Sequence, residues 1–312
     1  MPLPPRPLII DCDPGVDDCF ALFAACASPE LDVQAVCTVA GNVRLDTCTR
    51  NALGALALAG RHDIPVYPGS DRPLSVAPVY ADHIHGETGL GRAELPPPLR
   101  HPEPVHAVDH LVGLLKNAPE RSVTLAPTGP LTNLAAALEC DPGIARGINE
   151  VVLMGGADTE GGNISPHAEF NIYADPHAAK IVFESGLPLT VLSLDVTLQL
   201  RCTPERMAEL DAADTPVTRA ASAMIGHVNA IYGEIYGKAG AALHDPTVIL
   251  YLLSPDLFET RTVRAEIVCE PEDWRGHTRV VNASGADANA VWVDAIDAEA
   301  GFALLLERMR RL

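Results

Sequence analysis

Lysine is nearly missing from this chain: Lys116, Lys180 and Lys238 are the only three in 312 residues. With 22 basic residues against 41 acidic ones, the net charge is −19. Binding a nucleic-acid backbone needs clustered Lys and Arg, so that class of partner is excluded. No apolar run approaches the length of a membrane span. The eight cysteines include no CxxC pair, which speaks for buried free thiols rather than a metal or redox motif. The opening MPLPPRPLII has neither a long apolar signal region nor a small-residue cleavage site, so a reducing cytoplasm is the expected location. What the chain does have is a 47% hydrophobic content, ample for a full core.

Short β-rich runs (PLIID, LDVQAVCTVAG, IPVYPG, SVTLAPTGP, EVVLMGGA, LPLTVLSLDVT) alternate with helical stretches over 17–28, 45–60, 105–118, 131–140, 176–185 and 204–212. That alternation predicts an α/β fold, a mostly parallel central sheet with helices on both faces. Each strand ends in Asp, Gly, Asn or Thr, and ligands of open α/β sheets sit at the carboxyl ends of strands. Beyond Asp195 the alternation weakens into a long helical stretch over 216–240, a helix opening at HDP, antiparallel strands over 259–294 and a closing helix over 298–312. The Pro-rich stretch 95–104 is a loop, since alternation resumes beyond it, and one domain over 1–312 is expected.

LIIDCDPGVDD packs four carboxylates into eight positions. Asp11 and Asp13 emerge from a strand two residues apart, Pro14-Gly15 turns the chain, and Asp17 and Asp18 open a helix. A helix start accommodates one or two acids as caps, not four. Clustered hard oxygen ligands suit Ca²⁺ or Mg²⁺. Three other stretches carry chemistry with open alternatives. Asp245 in LHDP is either a helix cap or a ligand, and its neighbour His244 an acid/base group or a packed histidine. Asn163, Glu169 and Asn171 in GGNISPHAEFN form turns or a cage for a polyhydroxylated ligand. His83 and His85 share the Gly-rich HIHGETGLG, without the spacing of a zinc site.

Taken in order, DCDPGVDD, TVAGN, HGETGLG, APTGPLTNLA, VVLMGG, GNISPHAEFN and LHDP resemble the inosine-uridine nucleoside hydrolase family across nearly the whole chain. The resemblance implies a single α/β domain that binds one Ca²⁺ at the strand ends. Its ligands would be Asp13, Asp18 through both oxygens, the Thr128 carbonyl and Asp245, with Asp11 behind them. It implies hydrolysis of the N-glycosidic bond of a ribonucleoside, with Asp13 activating water. Asp17, Asn42, Met154, Asn163, Glu169 and Asn171 match positions at the ribose. His85, Tyr232, Tyr236 and His244 match positions at the base, His244 as proton donor. Family members form dimers and tetramers, so a homo-oligomer is implied, with pyrimidine or broad base preference. Gly91 departs from the Asp that family members often carry after HGxxGL. Two rivals remain at this level. A haloacid-dehalogenase-like Mg²⁺ phosphatase also opens on DxD but needs a lysine at a strand end, and Lys116 and Lys180 fall in helical stretches. A nucleoside- or ribose-binding protein of the export type would show two similar lobes.

Overall fold

The computed structural model describes residues 4–236 and 240–312, with the side chains of 234–236 outside the description. Six strands run parallel: β1 (Arg6–Cys12), β2 (Leu31–Thr38), β3 (Val66–Pro68), β4 (Val123–Pro127), β5 (Ile148–Met154) and β6 (Leu189–Leu192). Two-residue strands β7 (Arg201–Cys202) and β8 (Ala241–Ala242) make a separate ladder. The main sheet continues through β9 (Phe258–Val268), β10 (His277–Asn282) and β11 (Ala290–Ile296). Its order is β10-β9-β11-β6-β5-β4-β1-β2-β3. The antiparallel group expected over 259–294 is therefore not separate: β11 joins β6 in parallel and extends the one sheet.

From β1 the chain steps outward to β2 and β3, then returns to the other side of β1 as β4. The connections leaving β1 and β4 diverge, which opens a crevice at their carboxyl ends. Asp13 follows β1 and Thr128 follows β4, so both stand at that crevice. The central strands are buried on both faces, as their continuous apolar runs require. Leu8, Ile10 and Cys12 of β1 enter one core layer and Ile9 the other. Helices over Val16–Cys26, Leu45–Leu58, Ala107–Asn117, Thr132–Cys140, Pro176–Glu184, Pro204–Ala213 and Ala298–Met309 lie within a few residues of the expected stretches. Among the described residues, no helix is long and apolar enough to cross a membrane.

One buried carboxylate secures the path from β5 into the site. Asp195, in the short helix Leu194–Thr197 after β6, accepts hydrogen bonds from the Asp158, Thr159 and Glu160 amides at 2.8, 2.7 and 3.1 Å. The Thr159 and Ser193 hydroxyls add two more at 2.7 and 2.8 Å. Burial works to raise the Asp195 pKa, but these donors outweigh it and hold the carboxyl below its ordinary 3.8. A depressed folded-state pKa contributes stability above about pH 4 that is lost as pH falls through the folded value. Asp195→Ala is expected to cost about 2–4 kcal/mol at pH 7, because it strands buried amides as well as deleting bonds. Thermal melts should show the wild-type advantage shrinking below pH 4; a gap independent of pH would assign it to packing alone.

Candidate active site at the sheet's carboxyl edge

The opening acidic run folds around a tight turn. Gly15 is the N-cap of helix Val16–Cys26, and its amide donates to Oδ2 of Asp18 at 3.0 Å, so the acid at the helix's third position caps the helix start. No larger residue fits there: a Cβ on Gly15 would lie 2.6 Å from Nδ1 of His85 and 2.8 Å from Nδ2 of Asn42. Asn42 ties both acids together. Its amide N–H donates to Oδ2 of Asp13 at 2.6 Å, and its side-chain nitrogen donates to the Asp13 carbonyl and to Oδ2 of Asp18 at 3.2 and 3.0 Å. The Thr128 hydroxyl donates to Oδ1 of Asp18 at 2.8 Å.

Asp13 is fully buried, and its Oδ1 has no hydrogen-bond partner among the described residues. Backbone closes in on it from two strand ends. A Cβ on Gly41 would fall 2.1 Å from Asp13 Oδ2, and one on Gly129 2.5 Å from Oδ1. Asp245 occupies the N-cap position of helix Pro246–Leu253, yet its side chain makes no cap hydrogen bond. Its carboxyl instead gathers with those of Asp17 and Asp18. The cap alternative for Asp245 thus fails on geometry, and Asp17, Asp18 and Asp245 bring ligand atoms within 4.8 Å of one another. Asp17 rather than Asp13 stands in this trio, and Asp13 is fully buried.

Burial pushes the carboxyls of Asp13, Asp18 and Asp245 upward, with neighbouring aspartates adding to the shift. Asp11 rises to about 7 by burial, relieved in part by Asn133, whose side-chain nitrogen donates to its Oδ1 at 2.8 Å. Its Oδ2 is buried without a partner among the described residues. The donor set is all hard oxygen, an orphaned carboxylate oxygen included, and carboxyls gathered within 4.8 Å repel unless a proton or cation joins them. Those features fit a divalent cation, and the cluster is one that could bind a metal.

Above the acids opens a cavity of about 320 Å³, near the lower end of the ~300–1,000 Å³ usual for small-molecule sites. Asp17, Asn42, Thr128, Met154, Asp245 and the loop residues Asn163, Glu169 and Asn171 all line it. Asn171 donates through its side chain to the Thr128 and Met154 carbonyls at 2.7 and 3.3 Å. Glu169 caps helix Phe170–Ala174, accepting amides from Asn171, Ile172 and Gly156, while burial lifts its carboxyl to about 7. Asn163 accepts the Phe170 amide at 2.9 Å. The turn-forming and cavity-lining readings of this loop hold together rather than exclude one another.

His85, Tyr232 and His244 line the same cavity. Nδ1 of His85 accepts the Val16 amide at 3.1 Å, which places the ring on the positive start of helix Val16–Cys26. Burial pushes the His85 and His244 pKa values down. Tyr236 ends helix Pro216–Tyr236, and its side chain lies outside the described residues. Several contributors went unread in the sequence. Ile225 and Val228 line the cavity with Tyr232, and their spacing of three and four marks a single helix face that was there to be seen. Phe170, Ile84 and Asn133 lie inside the stretches GNISPHAEFN, HIHGETGLG and APTGPLTNLA, but were not singled out within them.

Against known proteins, residues 8–303 match the family model described as inosine-uridine preferring nucleoside hydrolase. A pyrimidine-specific ribonucleoside hydrolase, RihA of Photobacterium profundum, is 47% identical over 254 residues, covering 81% of each chain. The solved plant nucleoside hydrolase PpNRh1 superposes with a TM-score of 0.92 at 35% identity, covering 98% of this chain and 99% of that one. A purine-preferring ribonucleoside hydrolase from Gardnerella vaginalis gives 0.91 at 31% identity, with 98% coverage of both. A shared fold, a family match over most of the length and an acid-floored cavity at the sheet's switch point lead to one assignment: the chain belongs to the inosine-uridine preferring nucleoside hydrolase family and is a nucleoside N-glycosyl hydrolase.

Proposed function

We propose that this enzyme is a Ca²⁺-dependent ribonucleoside hydrolase that releases ribose and a free nucleobase, with pyrimidine or broad base preference. The observation that carries this reading is the oxygen-only cluster of Asp17, Asp18 and Asp245 at the floor of a cavity ringed by Asn42, Asn163, Glu169 and Asn171. Asp13, Asp18, Asp245 and the Thr128 carbonyl would hold the ion, Ca²⁺ being preferred because it tolerates irregular oxygen shells. When bound, it supplies positive charge that offsets the carboxylates and makes nearby water more acidic.

The chain's own residues account for the remaining steps. Oδ1 of Asp13 accepts the proton of the attacking water. Asp17 and the amide-bearing loop hold the ribose hydroxyls, and the anionic floor favours positive charge developing on the sugar as the glycosidic bond breaks. The bond's electron pair leaves with the base, which takes a proton from His244. Relatives 41–47% identical carry pyrimidine-specific names, which favours pyrimidine substrates here.

A panel of uridine, cytidine, inosine and 2′-deoxyuridine, read by reducing-sugar release, tests the reaction. Ribonucleosides should turn over, and the deoxy analogue roughly 10⁴-fold less efficiently, since buried sugar-binding groups would be left unpaired. Asp13→Ala should lower ribose release about 10³-fold or more. Wild-type-like turnover by that variant would overturn the proposed role of Asp13.

Metal dependence has a readout apart from activity. Chelator-treated protein should melt at a higher temperature on adding Ca²⁺, by about 2.7 kcal/mol once the ion is a hundredfold above its Kd. Mg²⁺ should shift the melt less, and Asp18→Asn should blunt the Ca²⁺ response. An unchanged melt across the titration would speak against a resident ion.

A further inference from the structure

His244 is fixed along its backbone but needs help to fix its ring. The adjacent Leu243 amide donates to the Leu200 carbonyl at 2.8 Å, and Thr247 binds the His244 carbonyl through its amide at 3.2 Å and its hydroxyl. None of these bonds restrains the imidazole, whose χ2 is a broad sp³–sp² torsion. The restraint comes from another part of the fold. Oγ1 of Thr197 lies 2.8 Å from Nδ1 of His244. Thr197 is fully buried at the end of helix Leu194–Thr197, and its amide donates to the Ser193 carbonyl at 3.0 Å. It stands on the same short helix whose Asp195 clamps residues 158–160. With Nδ1 engaged, Nε2 is the ring's one remaining polar atom, and His244 lines the cavity beside Ile225, Val228 and Tyr232.

We propose that Thr197 is a positioning residue for departure of the base: its hydroxyl holds the His244 ring in the plane that directs Nε2 at the leaving group. The inference rests on the reading that His244 serves the base, and it adds the group that makes that service directional. A hydroxyl is required at this point, whereas the shape of the side chain is not. Removing it frees the ring to rotate while leaving the core volume almost unchanged.

The experiment compares Thr197→Val, Thr197→Ser and His244→Ala on uridine and on p-nitrophenyl riboside, whose phenolate departs without needing a proton. Thr197→Val should lower kcat on uridine about tenfold with little change in KM, and should leave p-nitrophenyl riboside hydrolysis near wild type. Thr197→Ser should restore uridine turnover, and Thr197→Val combined with His244→Ala should be no slower than His244→Ala alone. Full uridine activity in Thr197→Val alongside a slow His244→Ala would overturn the role of Thr197 and leave that of His244 standing. An unimpaired His244→Ala would overturn both. Equal slowing of Thr197→Val on the two substrates, checked against its melting temperature, would make Thr197 a packing residue only.

Discussion

The repulsion among buried aspartates at one end of the sheet is the constraint on which the site is built. Asp17, Asp18 and Asp245 hold ligand atoms within 4.8 Å of one another, with Asp13 and Asp11 buried as well. At an effective dielectric of about 20, each such pair of charges, if both ionised, costs at least about 3.5 kcal/mol. The fold answers with amides, hydroxyls and close backbone: Asn42, Asn133, Thr128 and the Gly15 amide all donate into the cluster. These neutral donors orient the carboxylates without cancelling their charge. What remains is a negative floor suited to a divalent cation, and in the proposed reaction to a sugar that becomes cationic.

The cavity has both polar and apolar walls. Asn and Glu side chains from the loop after β5 line it together with Ile84, Ile225 and Val228. A ribonucleoside has the same two-sided character, a hydroxylated sugar joined to a flat, largely apolar base. In the proposed reaction the two halves would be served by different elements of the chain, so that base selection and sugar chemistry can vary separately. Relatives named for pyrimidine and for purine preference on one fold are consistent with such a division.

Much of this was legible because the signals were local. Alternating strands and helices foretold a parallel sheet, and Asp11 through Asp18 announced a strand end, a turn and a helix start within a dozen residues. What sequence reading missed depends on long-range pairing. Thr197 meets His244 across 47 positions. Asn133 reaches Asp11 across 122. Asn133 stands in the quoted stretch APTGPLTNLA and Thr197 at the end of LPLTVLSLDVT, yet each is a small polar side chain whose partner only the fold reveals. The continuation of the sheet from β6 into β11 was missed for the same reason, because two paired residues, Val291 and Trp292, make the junction.

The glycines around Asp13 have a consequence for how the chain tolerates change. Gly41 follows β2 and Gly129 follows β4, and each lies so close to the one carboxylate that a methyl group would overlap it. Three stretches far apart in the sequence, DPG, AGN and PTGP, are therefore one object in space. A substitution in any of them is felt as displacement of the same two oxygens. The chain is free to drift over most of its exterior, but at this point it must drift in concert or not at all.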